Sequence, residues 1–201
     1  RLLQAGAVLF ALSAASGTWA QEFLANKKLT DSSGNSQTAI NANSTTTLRF
    51  DLYNSTAGTL TSTVKDTLPT TSPANQLWFD TSVTTPTLLV GGRPNCTAGT
   101  AEYSDFIDSP TNSKARTVTI TSAVGAKPAG STAANCQVTV PVHYGGVGTS
   151  GNVINTVPAG DATATDGTSI FPSEAFSATL GLIAPVNPLA VAKSFSPALI
   201  V

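Results

Sequence analysis

The sequence predicts an all-β, antiparallel β-sandwich preceded by a signal peptide, and three observations carry that reading. Apolar residues recur at every second position in several windows, turn-forming residues punctuate those windows, and none sustains a helical period. The composition agrees. Charged residues make up 10% of the chain, against about 25% in an average soluble domain, and 21 Ser and 31 Thr take their place. Thr is β-branched and suits a pleated, half-exposed strand better than a helix interior.

The chain begins at Arg1 and contains no Met, so the expectation is a sequence cut upstream. From Leu2 to Leu12 the residues are almost all apolar, and small residues follow as far as Ala20. A short apolar run behind a positive residue, closing on small residues, predicts a cleaved secretory signal over 1–20. Gln4, Ser13 and Ser16 interrupt it, whereas a bilayer span needs about 20 consecutive apolar residues. No later stretch is long and apolar enough, so no membrane span is expected in the mature chain.

Residues 23–184 read as one sandwich module. The clearest strand is Thr46 to Tyr53, with Leu48, Phe50 and Leu52 on one face and Thr47, Arg49 and Asp51 on the other. A second runs from Cys136 to Tyr144 and turns Cys136, Val138, Val140 and Val142 inward. Pro141 cannot donate a ladder hydrogen bond, which predicts an edge strand or a bulge there. Shorter strands are expected at 28–30, 59–68 (Leu60, Val64, Leu68), 117–121 (Val118, Ile120), 153–157 and 176–183 (Ala178, Leu180, Leu182). Turn chemistry separates them at 31–35, 90–94, 125–130 and 145–151.

Cys96 and Cys136 are the only cysteines. An even count in an exported chain reads as a disulfide, and an inward Cys136 suits a bridge between packed sheets. A soft metal site would need more ligands, and the single imidazole is His143. By alternation His143 faces outward, and no Gly-x-Ser-x-Gly elbow joins a strand to a helix. No catalytic residue, metal or cofactor is therefore expected. Asp105 with Asp108, and Asp161 with Asp166, lack the spacing of a calcium loop and read as polar turns. Trp78 beside Phe79 reads as core rather than a sugar platform. A net charge of −1 offers no basic field for nucleic acid.

An echo of the first strand, Leu24 to Leu29, recurs at 189–201 behind Pro185 and Pro188. It predicts a linker at 185–188 and the truncated start of a second repeat at 189–201.

Several motifs stand in order: Thr45 to Asn54; Asp66-Thr67-Leu68-Pro69; Cys136 to Val142; Asn155-Thr156-Val157-Pro158-Ala159-Gly160; and Lys193-Ser194-Phe195-Ser196-Pro197. This set resembles a bacterial cell-surface, immunoglobulin-like repeat family, domain of unknown function eleven and its relatives. The resemblance covers roughly 23–184 and the opening of a second copy. Lys27-Lys28-Leu29-Thr30 departs from it, lacking Phe-Ser-Pro. It implies an extracellular immunoglobulin-like sandwich in long repetitive proteins and supplies no catalytic residues.

The expected function is thus a non-enzymatic, secreted repeat module of a bacterial surface protein, a structural spacer or adhesin. Its expected partners are neighbouring repeats of the same chain, and a host or cell-surface protein or glycan. The alternatives are a pilus-type subunit that assembles by donating the strand at 189–201, and a carbohydrate-binding module using Trp78.

Overall fold

The computed structural model describes residues 22–71, 76–88, 96–131, 134–146 and 150–185. The expected signal at 1–20, the second-repeat opening at 189–201 and all of the linker but Pro185 lie outside them. The strands are β1 (Phe23–Thr30), β2 (Ala39–Asn41), β3 (Ser44–Asn54), β4 (Leu60–Thr67), β5 (Leu77–Asp80), β6 (Thr87–Leu88), β7 (Cys96–Phe106), β8 (Lys114–Val124), β9 (Ala134–Tyr144), β10 (Gly151–Val157), β11 (Ala162–Thr165), β12 (Ile170–Pro172) and β13 (Phe176–Ile183).

Ten strands form one sheet, ordered β1-β3-β9-β5-β8-β4-β11-β12, with β6 also on β9 and β7 also on β8. The other sheet is β10-β13-β2. All ladders are antiparallel except β13 with β2. Short β5 makes the turn in the large sheet: Leu77 to Phe79 pairs with β9, while Phe79 and Asp80 pair with β8. The two arms and the small sheet close on one core, in which Phe50, Leu52, Val64, Ile120, Val138, Leu180 and Leu182 share a cluster. The result is an all-β, immunoglobulin-like antiparallel sandwich.

Alternation explains the core. Leu48, Phe50 and Leu52 are fully buried on β3, as are Val138, Val140 and Val142 on β9, and these strands pair along eleven positions. The opposite face of β3 departs from expectation. Arg49 and Asp51 are buried rather than wet. The Asp31–Asn35 turn reaches Arg49, whose Nη1 donates to the Gly34 carbonyl at 3.0 Å. Arg49 also pairs with Asp51 (Nε–Oδ1 3.2 Å), and Lys28 approaches the same carboxylate at 3.7 Å. Local alternation sees two faces but not a loop folding over one of them.

Pro141 does not mark an edge strand. β9 lies inside the sheet, with β3 along one side and β6 and β5 along the other. On that second side β6 pairs as far as Thr139 and β5 begins at Val142, so Pro141 falls between two short partners. A residue without an N–H is accommodated in such a gap.

The two ends of the described sandwich lie at opposite poles. Phe23 pairs with Asn54, and Ser55 N–H donates to the Glu22 carbonyl, so the chain enters beside the end of β3. Ile183 pairs with Asn41 and accepts from Ala42 N–H, so the chain leaves beside the start of β3. β3 has 11 residues, which at strand rise separates the two poles by about 33 Å.

Candidate functional site

β1 turns Phe23, Ala25, Lys27 and Leu29 to the core, and all four are buried. Lysine is almost never fully buried unless it is paired. On β4 the inward set is Leu60, Ser62, Val64 and Asp66. Lys27 and Asp66 meet there, Nζ to Oδ1 at 2.9 Å, with both side chains at 0% exposure. From β10 in the other sheet, Asn155 donates Nδ2 to Asp66 Oδ2 at 3.0 Å and is also at 0% exposure. An amine and a carboxamide therefore bracket one carboxylate with water excluded.

Burial pulls the Lys27 ammonium below the ordinary lysine range, and the neighbouring charge and hydrogen bond of Asp66 oppose that pull. Asn155 Oδ1 is buried and has no hydrogen-bond partner. A buried polar atom left this way costs free energy and calls for an explanation. The amide nitrogen and oxygen are nearly isosteric, so either can face the carboxyl: Nδ2 toward a carboxylate, or Oδ1 toward a protonated acid.

These three residues were legible in part. Each sits in the inward phase of its strand: Lys27 with Ala25 and Leu29, Asp66 with Val64 and Leu68, Asn155 with Val153 and Val157. Asp66 and Asn155 also fall inside quoted motifs. What was missed is that a polar residue in an apolar phase needs a partner.

Cys96 and Cys136 form the expected disulfide, with Cα atoms 5.2 Å apart. It does not join two separate sheets. β7 and β9 belong to the same large sheet without pairing to each other, and the bridge ties its two arms together. Sequence alternation could not show that both arms are one hydrogen-bonded surface.

Trp78 is not a core residue. Leu77 and Phe79 point inward, and Trp78 lies half-buried on the outer face between them. Its ring stacks against His143 at 4.3 Å, Lys114 sits 4.7 Å over it, and a Cβ on Gly145 would come within 2.7 Å of it. The ring is packed by its own neighbours and offers no bare platform. His143 faces outward as expected, with Nδ1 2.7 Å from Thr45 Oγ1. Burial and the Lys114 charge lower its imidazole, with Asp80 opposing.

Of the acids at 105–108 and 161–167, Asp108 and Asp166 serve their own turns. Asp108 accepts from Thr111 Oγ1, Ser113 Oγ and the backbone N–H groups of Ser113 and Lys114. Desolvation pushes its carboxyl up, but those hydrogen bonds prevail and hold it down to about 2. Asp166 accepts from the N–H groups of Thr168 and Ser169 at 2.8 and 2.7 Å. Among the described residues no three His, Cys, Asp or Glu gather as a metal site, and no helix is long and apolar enough to cross a membrane.

No family model matches the chain, and no curated protein matches it. Solved structures similar to it include the major pilin subunit BcpA of Bacillus cereus, at 13% identity and a TM-score of 0.39, covering 80% of this chain and 40% of that one. The full-length major pilin SpaD of Corynebacterium diphtheriae matches at 16% identity and 0.37, over 77% and 34% of the two chains. The CupB6 tip adhesin of Pseudomonas aeruginosa matches at 12% and 0.31, over 72% and 39%. The chain thus spans well under half the length of these proteins.

Proposed function

We propose that this chain is a non-enzymatic extracellular module of a bacterial surface protein, a spacer that transmits tension between neighbouring repeats. The observation behind this reading is the placement of its ends. The chain enters beside Asn54 and leaves beside Asn41, at opposite poles of β3. Copies joined through such ends extend a fibre rather than fold back on one another. The buried Lys27–Asp66 pair and the Cys96–Cys136 bridge tie distant strands together, as suits a domain under load. A Thr-rich surface with few charges presents little to steer charged partners. The resemblance to immunoglobulin-like surface repeats supports the same reading.

Small-angle scattering on a chain carrying two tandem copies tests it. The maximum dimension should grow by at least about 33 Å over one copy, the length of β3 at strand rise. Two copies packed side by side, with no such growth, would refute the spacer role.

A further inference from the structure

The geometry points to a covalent bond that the protein makes within itself: an amide joining Lys27 Nζ to Asn155 Cγ, formed with Asp66 as the proton-transfer residue. This deepens the spacer reading by naming what would lock the module, and it rests on chemistry that can be tested apart from that reading.

Such a bond requires a nucleophilic amine, a carbonyl that can be polarised, a proton carrier between them and the exclusion of water. Each is present. Lys27 and Asn155 lie on opposite oxygens of the Asp66 carboxylate, at 2.9 and 3.0 Å, with every side chain at 0% exposure. An ammonium cannot attack, but desolvation favours the neutral amine that can. Asn155 Oδ1 has no partner; turned toward a protonated Asp66, it would accept that proton's hydrogen bond and leave Cγ electron-poor.

The atoms balance without any further reagent. Lys27 passes one proton to the Asp66 carboxylate, leaving a neutral amine and a neutral acid. The Nζ lone pair attacks Asn155 Cγ, a C–N bond forms, and the carbonyl electron pair moves to Oδ1. Asp66 gives a proton to Nδ2 and takes one from Nζ. The Cγ–Nδ2 bond then breaks, the carbonyl reforms, and ammonia leaves. The products are a secondary amide and a protonated Asp66. A buried ion pair is often no more stable than the neutral groups that could replace it. Here the reaction would remove both charges from the core, and leave an acid able to hydrogen-bond the new amide oxygen.

The location has a mechanical consequence. Lys27 lies four residues into β1, the strand by which the chain enters, and Asn155 lies on β10, which pairs with the exit strand β13. Tension arriving at Phe23 would pass through the new amide to Asn155 and on to β13. Residues 28–154 would be bypassed, including both disulfide cysteines.

Intact mass spectrometry of the folded full chain, after reduction, is the test. The wild type should be about 17 Da lighter than its sequence, one ammonia lost to amine attack on the amide. Digestion should yield a branched peptide containing both Lys27 and Asn155. Asp66→Asn and Lys27→Met should each restore the full mass. A folded wild type at full mass overturns the proposal. So does a mass loss that maps to linear peptides only, as a succinimide elsewhere would give. An Asp66→Asn protein that still loses ammonia removes Asp66 from the chemistry. If a variant fails to fold, the wild-type mass and its branched peptide still decide the matter.

Discussion

Asp66→Ala is the most informative single change, because it strands two buried groups at once. Lys27 Nζ loses its acceptor at 2.9 Å and Asn155 Nδ2 loses its own at 3.0 Å. Removing one member of a buried ion pair costs about 3–5 kcal/mol, whereas replacing the whole set by apolar residues of similar volume is often neutral or stabilising. The comparison is therefore Asp66→Ala against the triple variant Lys27→Met, Asp66→Leu, Asn155→Leu. Both lack the carboxylate, so neither carries the proposed amide, and their difference reports the stranded polar groups together with the apolar volume that replaces them. The triple variant should be the more stable by about 3 kcal/mol, which in a domain of this size corresponds to about 6–12 °C in melting temperature. Urea titration and calorimetry at pH 7 measure it.

The pH dependence gives a second readout. In Asp66→Ala the two influences that raise the Lys27 pKa are gone, and desolvation, which lowers it, remains. Between that depressed folded value and the unfolded value of about 10.4, the unfolded chain holds the extra proton. Its stability should therefore rise as pH increases through that window, while that of the triple variant, with no lysine there, should lack this rise. An Asp66→Ala protein as stable as the triple, or one losing stability relative to it from pH 7 to 10, would refute the reasoning.

Replacing Cys96 and Cys136 together by Ser opens a loop with a sequence separation of 40. The chain-entropy estimate is a loss of about 4 kcal/mol, and an unchanged urea midpoint would show that the bridge contributes nothing. Gly99 sits at the register shift between Ala98 and Thr100, where a Cβ would come within 2.0 Å of the Thr121 carbonyl oxygen. Gly99→Val should cost about 1–3 kcal/mol by overpacking; thermal melting checks it, and an unshifted transition would mean that the bulge relaxes freely.

Much of this protein was determined locally. Period-two alternation in Thr46 to Tyr53 and Cys136 to Tyr144 placed Leu48, Phe50, Leu52, Val138, Val140 and Val142 in the core, because successive side chains of a strand must point to opposite sides. The disulfide partners followed from there being only two cysteines. The same period carries Lys27, Asp66 and Asn155 to inward faces in the folded protein, although the strand expected at 28–30 begins after Lys27.

Tertiary structure alone decided what those faces meet. Lys27 and Asp66 are 39 residues apart, and Asp66 and Asn155 are 89 apart; no local periodicity specifies that three different strands bring them to one point. Likewise the cover over Arg49 and Asp51, the gap that tolerates Pro141 and the outward turn of Trp78 depend on neighbours supplied by distant segments. A strand dictates the direction of its own side chains. Only the packing of the whole chain decides whether a charge pointing inward finds a counter-charge, and whether an amine arrives beside an amide it can attack.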